Sequence, residues 1–518
     1  MGRMESSGTI DNDRYHNVIM RDIRLSRLWH LMIGLLLASS ALWMPVAAQP
    51  SGLPSIGAAS ASDLSPALER ALGDLIIAQG RRDPTYLHDA EINQYLNDMG
   101  HRLARHATGV APFVDVFGVL DSQFNAFALP GGYIGINTGL IVQSDNEAEL
   151  AGVVAHEIAH VTQRHIARGM TQRRQSDYIA LASVAAALLA ALAGGVDVAA
   201  GIAAFGQAAA IDQQLGYSRD AEREADRVGL HMLTKAGYDP SGMQSMFSKL
   251  MNSAQFNMGR GGGNAYFSTH PLSIDRMTDM QNRTKLLPRG DFTSSDAFFY
   301  VRARALVLQT RERDDVARVV DRLQDEGRRL SGAQRSAAWL ALSELATQRR
   351  QYADAQRFLD YASKGVAPSS FLQRQAGALA LAQGDANRAL TISRQALSRW
   401  PEQIALVELQ ARAMQQLGQH EQAARFLSQQ VKRWPTQAPV LYQLMALNYS
   451  EAGQPAAARR AMADYYVLTG ALPAALAQLQ QAREMTQDFH EQSRIDAEIV
   501  IVRERIERER AILRQFGA

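Results

Sequence analysis

His156-Glu157-Ile158-Ala159-His160 sets two histidines one helical turn apart with a glutamate beside them. On an α-helix, residues four apart differ by roughly 40° around the axis, so both imidazoles leave the same side and can share one metal ion. Neutral imidazole nitrogens suit Zn²⁺, and a catalytic zinc keeps one of its four positions for water, whose pKa it lowers to about 7. Glu157 stands where it can take a proton from that water. The pentapeptide therefore reads as two zinc ligands and a general base. Around it, Leu150, Val154, Ile158 and Val161 fall on one side of a helix and Glu149, Gly152, His156 and His160 on the other. One face is expected to be buried and the other polar.

A third ligand must come from another element, and the absence of cysteine leaves histidine, aspartate and glutamate to supply it. Four acids compete in the run 217–229. On a helical wheel Ala221, Ala225, Val228, Gly229 and Met232 form the apolar stripe, Glu222 sits at its edge, and Glu224 lies among arginines. Glu222 is the better ligand. Asp226, one turn on, is placed to accept a hydrogen bond from the distal nitrogen of a zinc histidine, and Ser218 is placed to cap the helix. Arg164, His165 and His231 read as structural, His165 because it falls on the apolar side of the first helix.

His-Glu-x-x-His at 156–160 combined with Glu222-x-x-x-Asp226 resembles the gluzincin metallopeptidases of the HtpX and CAAX prenyl endopeptidase type. Asn125-Ala126-Phe127-Ala128-Leu129-Pro130-Gly131-Gly132, Asn137-Thr138-Gly139-Leu140, Asn146-Glu147-Ala148-Glu149-Leu150 and Ser268-Thr269-His270-Pro271 extend the likeness. It covers the chain from about residue 65 and is tight around these motifs. The resemblance implies an α+β zincin-like metalloprotease domain in which His156, His160 and Glu222 bind one Zn²⁺ per chain. It makes Glu157 the catalytic base and Asp226 a support for a ligand. His270, before Pro271 and after the glycine-rich 259–263, is open to two roles: donor to the transition-state oxyanion, or occupant of zinc's open position when the enzyme is idle. Alternation around Val114 and Val116, then Pro130-Gly131-Gly132 and Tyr133-Ile134-Gly135-Ile136, reads independently as strands joined by a turn. In the family such a strand edges the cleft, where an extended substrate adds as a further strand.

At 518 residues the chain is too long for one ordinary core. Arg21, Arg24 and Arg27 precede an apolar stretch at 31–44, and Val46-Ala47-Ala48 follows it, the pattern of a bacterial secretory signal peptide at 1–48, with Met20 an alternative start. The expected location is the periplasm. A second apolar stretch at 179–211, rich in alanine and broken by Gly194-Gly195 and Asp197, reads as two packed helices or a lid rather than a stable membrane span. A net charge of +2 with mixed signs and no basic stripe argues against nucleic acid.

From about residue 297 the chain turns to alanine, glutamine, arginine and leucine, the composition of successive helices. Ala355, Ala389 and Ala423 recur every 34 residues, as do Gly384 and Gly418, and Trp400-Pro401 returns as Trp434-Pro435. That is the tetratricopeptide period, and its stacked helix pairs present a surface that recruits proteins. Trp400 and Trp434 read as packing residues. The register slips by one near Gly453, and a final charged helix over 479–516 is expected to cap the stack. The expected architecture is mostly α with a small β-sheet: a metalloprotease domain at 49–295, then an all-α repeat solenoid at 296–518.

The combined expectation is a periplasmic zinc endopeptidase directed by its repeats. By resemblance, its substrates are unfolded or misassembled outer-membrane proteins, its partner is the outer-membrane assembly machinery, and it has a chaperone role as well. Two alternatives stand beside it: a repeat-built chaperone or adaptor with a silent or structural metal site, and a membrane-integrated protease that uses 179–211.

Overall fold

The computed structural model describes residues 65–108, 112–172, 217–257, 266, 270–287, 290–310 and 313–515. The expected signal peptide at 1–48, the apolar stretch at 179–211 and the glycine-rich 259–263 lie outside the described residues. Among those described, no helix is long and apolar enough to cross a membrane.

Two helices, α1 (Pro66–Gly80) and α2 (Ala90–Ala104), precede strands β1 (Asp115–Val119), β2 (Ala126–Leu129) and β3 (Tyr133–Asn137). The sheet order is β1-β3-β2, with β1 parallel and β2 antiparallel to β3. The turn between β2 and β3 needs its two glycines. Gly131 and Gly132 have φ of 77° and 92°, and a Cβ on Gly132 would lie 2.1 Å from the Phe113 carbonyl oxygen. Side chains alternate across a strand, so the sheet divides its residues between two cores. Val116, Ile134 and Ile136 pack with Ile92, Leu96 and Met99 of α2. Phe117, Phe127, Leu129 and Tyr133 pack with Leu72 and Ile76 of α1.

Helices α3 (Thr138–Gln143), α4 (Glu147–Thr162), α5 (His165–Gln172), α6 (Arg219–Lys235), α7 (Ser241–Asn257) and α8 (Ile274–Lys285) follow. Asn146 caps α4 by accepting from the Glu149 N–H. The expected polar face of α4 is not found: every residue from Glu147 to His160 is buried. The wheel marks which residues are polar, whereas burial depends on what packs there. Gly152 lets α7 approach to within van der Waals contact at Met243, and Glu149 is neutralised in place by Lys249 at 2.6 Å and Ser245 at 2.6 Å. Farther along α4, Gly229 of α6 comes equally close to Ala155 and His156.

Helix α9 (Asp296–Gln309) begins the second half and serves both halves. Phe298, Val301 and Ala305 join the core around α4, while Tyr300, Ala303 and Val307 join the first core of the repeats. Ala355, Ala389 and Ala423 are fully buried where paired helices approach. Gly384, Gly418 and Gly453 adopt φ of 82°, 70° and 71° just past the helices 370–382, 404–416 and 439–451. The one-residue slip at Gly453 keeps the same turn.

The expected single helix over 479–516 is instead two, Leu472–Glu484 and Phe489–Gln515, broken where Asp488 accepts from the N–H groups of His490 and Glu491. The second does more than cap the stack. Its stripe Ile495, Ile499, Val502, Ile506 and Leu513 is buried in the same core as α1 and the outer face of the sheet. The described residues from 65 onward form one compact unit.

Candidate metal centre

The neighbouring helices α4 and α6 place His156, His160 and Glu222 against one another, and the loop before α8 brings His270 to them. Nε2 of His156 lies 3.0 Å from Nε2 of His160 and 3.3 Å from Nδ1 of His270. Oε1 of Glu222 lies 3.0 Å from Nδ1 of His270 and 3.5 Å from Nε2 of His160. Tetrahedral zinc with nitrogen and oxygen ligands separates its donors by about 3.4 Å. All four residues are fully buried.

The charges fit a dication. Glu157, Glu222 and Asp226 are buried carboxylates, and Arg276 is the guanidinium among them. With the histidines neutral, as metal ligands are, three negative charges against one positive leave a deficit that one Zn²⁺ balances, in a place where an unbalanced charge is costly. Among the described residues Glu157 has no hydrogen-bond partner at either oxygen, and Nε2 of His270 lies 3.5 Å from its Oε1. Burial pushes its carboxyl above the usual range, against the pull of His270 and His156, the direction a general base needs.

Oδ1 of Asp226 lies 3.1 Å from Nδ1 of His156, an ion-pair distance. Burial works to lower the His156 pKa, but the bonds and charges of Asp226 and Glu222 hold it up to about 10. Arg276 of α8 grips Asp226 through two bonds of 2.8 Å, pairs with Oε2 of Glu222 at 2.7 Å and donates to the Pro271 carbonyl at 2.8 Å. One side chain thus fixes Glu222 and Asp226 of α6 and the loop that carries His270. The ring of Tyr266 stacks on His270 with centroids 4.6 Å apart, and Tyr217 lies over His160 at 3.8 Å.

All six residues singled out in the sequence meet here. Glu222 and Asp226 lie at the centre of the buried face of α6 rather than at its edge, and Ser218 caps that helix by accepting from the Ala221 N–H. Arg276, Tyr217 and Tyr266 carry no metal-ligand signature in the sequence: Arg276 reaches the site from α8, Tyr217 stands just before the cap of α6, and Tyr266 lies one turn before His270. His165 is a correction. Its Nδ1 lies 2.9 Å from Nδ1 of His160 and its Nε2 3.2 Å from Oε2 of Glu224, which Arg168 holds at 2.8 Å. The helical wheel fails because α4 ends at Thr162, Gln163 is its C-cap and Arg164 takes φ of 52°, so His165 starts a new helix and turns back. Burial takes the His165 pKa down to about 4, against Glu224.

The profile of peptidase family M48 matches residues 90–284, and a tetratricopeptide-repeat profile matches residues 380–447. The beta-barrel assembly-enhancing protease (BepA) of Escherichia coli strain K12 is 30% identical over 466 residues, 88% of this chain and 92% of that protein. The chain belongs to peptidase family M48, beside the beta-barrel assembly-enhancing proteases. A Vibrio cholerae relative is 36% identical over 276 residues, 52% of this chain and 56% of its own length. Mitochondrial metalloendopeptidase OMA1 of Arabidopsis thaliana is 30% identical over 208 residues, 40% of this chain and 37% of that protein. M48 peptidases are zinc-dependent, and this chain is a metalloendopeptidase with a cluster of ligands for one ion.

Proposed function

We propose that the chain is a periplasmic zinc endopeptidase acting in the quality control and assembly of outer-membrane proteins. It cleaves unfolded or misassembled chains, while its repeats hold them or dock on the assembly machinery. The observation that carries this reading is the buried set of donors His156, His160, Glu222 and His270 with the unpaired carboxylate of Glu157 beside it. The name of the Escherichia coli relative, which aligns over most of both chains, supplies the substrate class.

Zinc held by His156, His160 and Glu222 supplies Lewis acidity, polarising a peptide carbonyl and making water acidic near neutral pH. Glu157 takes a proton from the attacking water and delivers it to the leaving amine. Asp226 occupies Nδ1 of His156 and so keeps the lone pair of Nε2 facing the cluster. Strand β2, which lies against α4, has β3 as its ladder partner on one side. An extended substrate adds along its other edge, which demands backbone hydrogen bonds and little sequence.

His270 points Nδ1 into the donor set, 3.0 Å from Glu222 and 3.3 Å from His156. It is therefore read as the occupant of the fourth position in an idle enzyme, and substrate must displace it.

Purified protein with its zinc quantified, incubated with an unfolded outer-membrane protein, tests this reading against Glu157→Gln and His270→Ala. Glu157→Gln should keep its zinc, lose cleavage by a factor of about 10² to 10⁴, and still hold the unfolded chain out of aggregates. His270→Ala should raise basal cleavage; lower cleavage would assign it the oxyanion role instead. Equal cleavage by Glu157→Gln and the parent would remove the proposed chemistry.

A further inference from the structure

The two helical zinc histidines have different supports. His156 is backed by a carboxylate, Asp226, while His160 is backed by another imidazole, His165. A neutral imidazole carries one N–H and one lone pair. Nε2 of His160 faces the donor cluster and must keep its lone pair there, so its hydrogen is on Nδ1. That nitrogen is 2.9 Å from Nδ1 of His165, and two nitrogens at this distance share a single hydrogen. Nδ1 of His165 is then the acceptor, which leaves its own hydrogen on Nε2. There it meets Oε2 of Glu224 at 3.2 Å, and Arg168 holds that carboxylate at 2.8 Å. Every hydrogen in the series His160, His165, Glu224 points one way.

We propose that His165 is a positioning residue that locks His160 in its Nδ1–H tautomer with Nε2 aimed at the metal, and that Glu224 locks His165 in turn. The kink at Arg164 is what makes this possible, because a continued helix would carry residue 165 away from His160. The inference rests on the reading that Nε2 of His160 binds zinc. It also explains why Glu224, which the helical wheel assigns to solvent, is half-buried against α5.

The test uses the full chain and zinc itself. Affinity is measured by competition with a chromophoric chelator for the parent, His160→Ala, His165→Ala and His165→Asn. The ring-nitrogen shifts of the zinc-loaded parent, labelled with ¹⁵N at histidine, report both tautomers. We expect one tight site in the parent and its loss in His160→Ala. His165→Ala should bind ten- to a hundredfold more weakly, the usual effect of removing such a support. His165→Asn should recover most of this, because its amide oxygen falls where Nδ1 stood and can accept the same hydrogen. In the parent, His160 should carry hydrogen on Nδ1 and His165 on Nε2.

A parent without tight zinc, or a His160→Ala variant that binds like it, would undo the metal-site reading itself. Tight zinc that depends on His160 but is unchanged within twofold in both His165 variants would overturn the positioning role alone. A His165 ring protonated at Nδ1 in the parent would do the same, whatever the stability of the variants.

Discussion

Replacing Arg304 with methionine should destabilise the whole described chain by about 3 kcal/mol. Arg304 on α9 lies 2.6 Å from Asp89, 3.0 Å from Glu344 and 3.3 Å from Glu91. Arg374, from the helix 370–382, completes the group, 3.0 Å from Glu91 and paired with Glu344. The acids are almost wholly buried, with side-chain exposures of 7% for Asp89 and 3% for Glu91 and Glu344. Three carboxylates on two guanidiniums already leave one negative charge in excess. Without Arg304 three would face one. Breaking a buried pair costs about 3 to 5 kcal/mol, chiefly through the partner left behind, and the 20% exposure of Arg304 points to the lower end.

The dependence on pH separates this charge argument from lost packing. Burial raises Glu91 even with both arginines present, whereas at Asp89 burial is outweighed by Arg304 together with the Ile92 N–H and Arg374, which lower it. In the variant both acids should titrate above their unfolded values near 4. The folded state then binds the extra protons, so stability is present at low pH and is lost as pH rises through the new folded pKa values. The penalty should be smaller at pH 5 than at pH 8. Adding Asp89→Asn and Glu344→Gln should recover most of it, and asparagine can still cap α2 by accepting from the Ile92 N–H, as Asp89 does. Urea unfolding read by Trp339, Trp400 and Trp434, all in the repeats, and by peptidase activity should shift together. A variant within about 1 kcal/mol of the parent at pH 8, or a penalty that grows at pH 5, would refute the reasoning.

Three further substitutions probe the supports of the site and of the repeats. Gly242→Ala would place its Cβ 2.5 Å from the Ala148 carbonyl carbon, a backbone atom that cannot yield; α7 must lift from α4, at a cost of about 1 to 3 kcal/mol, with activity falling in parallel in the same urea series. Gly418→Ala meets no atom within 4 Å and pays only for its φ of 70°, about 1 to 2 kcal/mol, so its melting temperature should drop with cleavage per folded molecule unchanged. Arg276→Lys keeps the charge and loses the two-pronged hold on Asp226, so zinc affinity should fall roughly tenfold by chelator competition; unchanged affinity would show that charge alone suffices.

What the sequence made legible at the site was local. His156 and His160, or Glu222 and Asp226, share a helix, and their relative placement follows from covalent spacing alone. The repeat glycines were legible for the same reason, since each ends a helix by the same turn. Arg276 and His165 act across gaps in sequence that no period marks, His165 through an uncommon positive φ at a non-glycine residue.

The C-terminal helix shows the limit most clearly. Ile495, Ile499, Val502, Ile506 and Leu513 follow the helical period, so the sequence announces a buried stripe. What it does not announce is the partner, α1 and the outer face of the sheet, more than 350 residues earlier. This closure bears on how the enzyme works. The division expected at 295/296 would separate metal chemistry from repeats in sequence, yet α9 contributes to both cores and the last helix returns to the first. A protein held by the repeats thus pulls on the same packed body that carries α4 and α6. The two halves should unfold at one urea concentration, the condition on which the Arg304 experiment depends; separate transitions would show instead that the repeats can move without disturbing the metal centre.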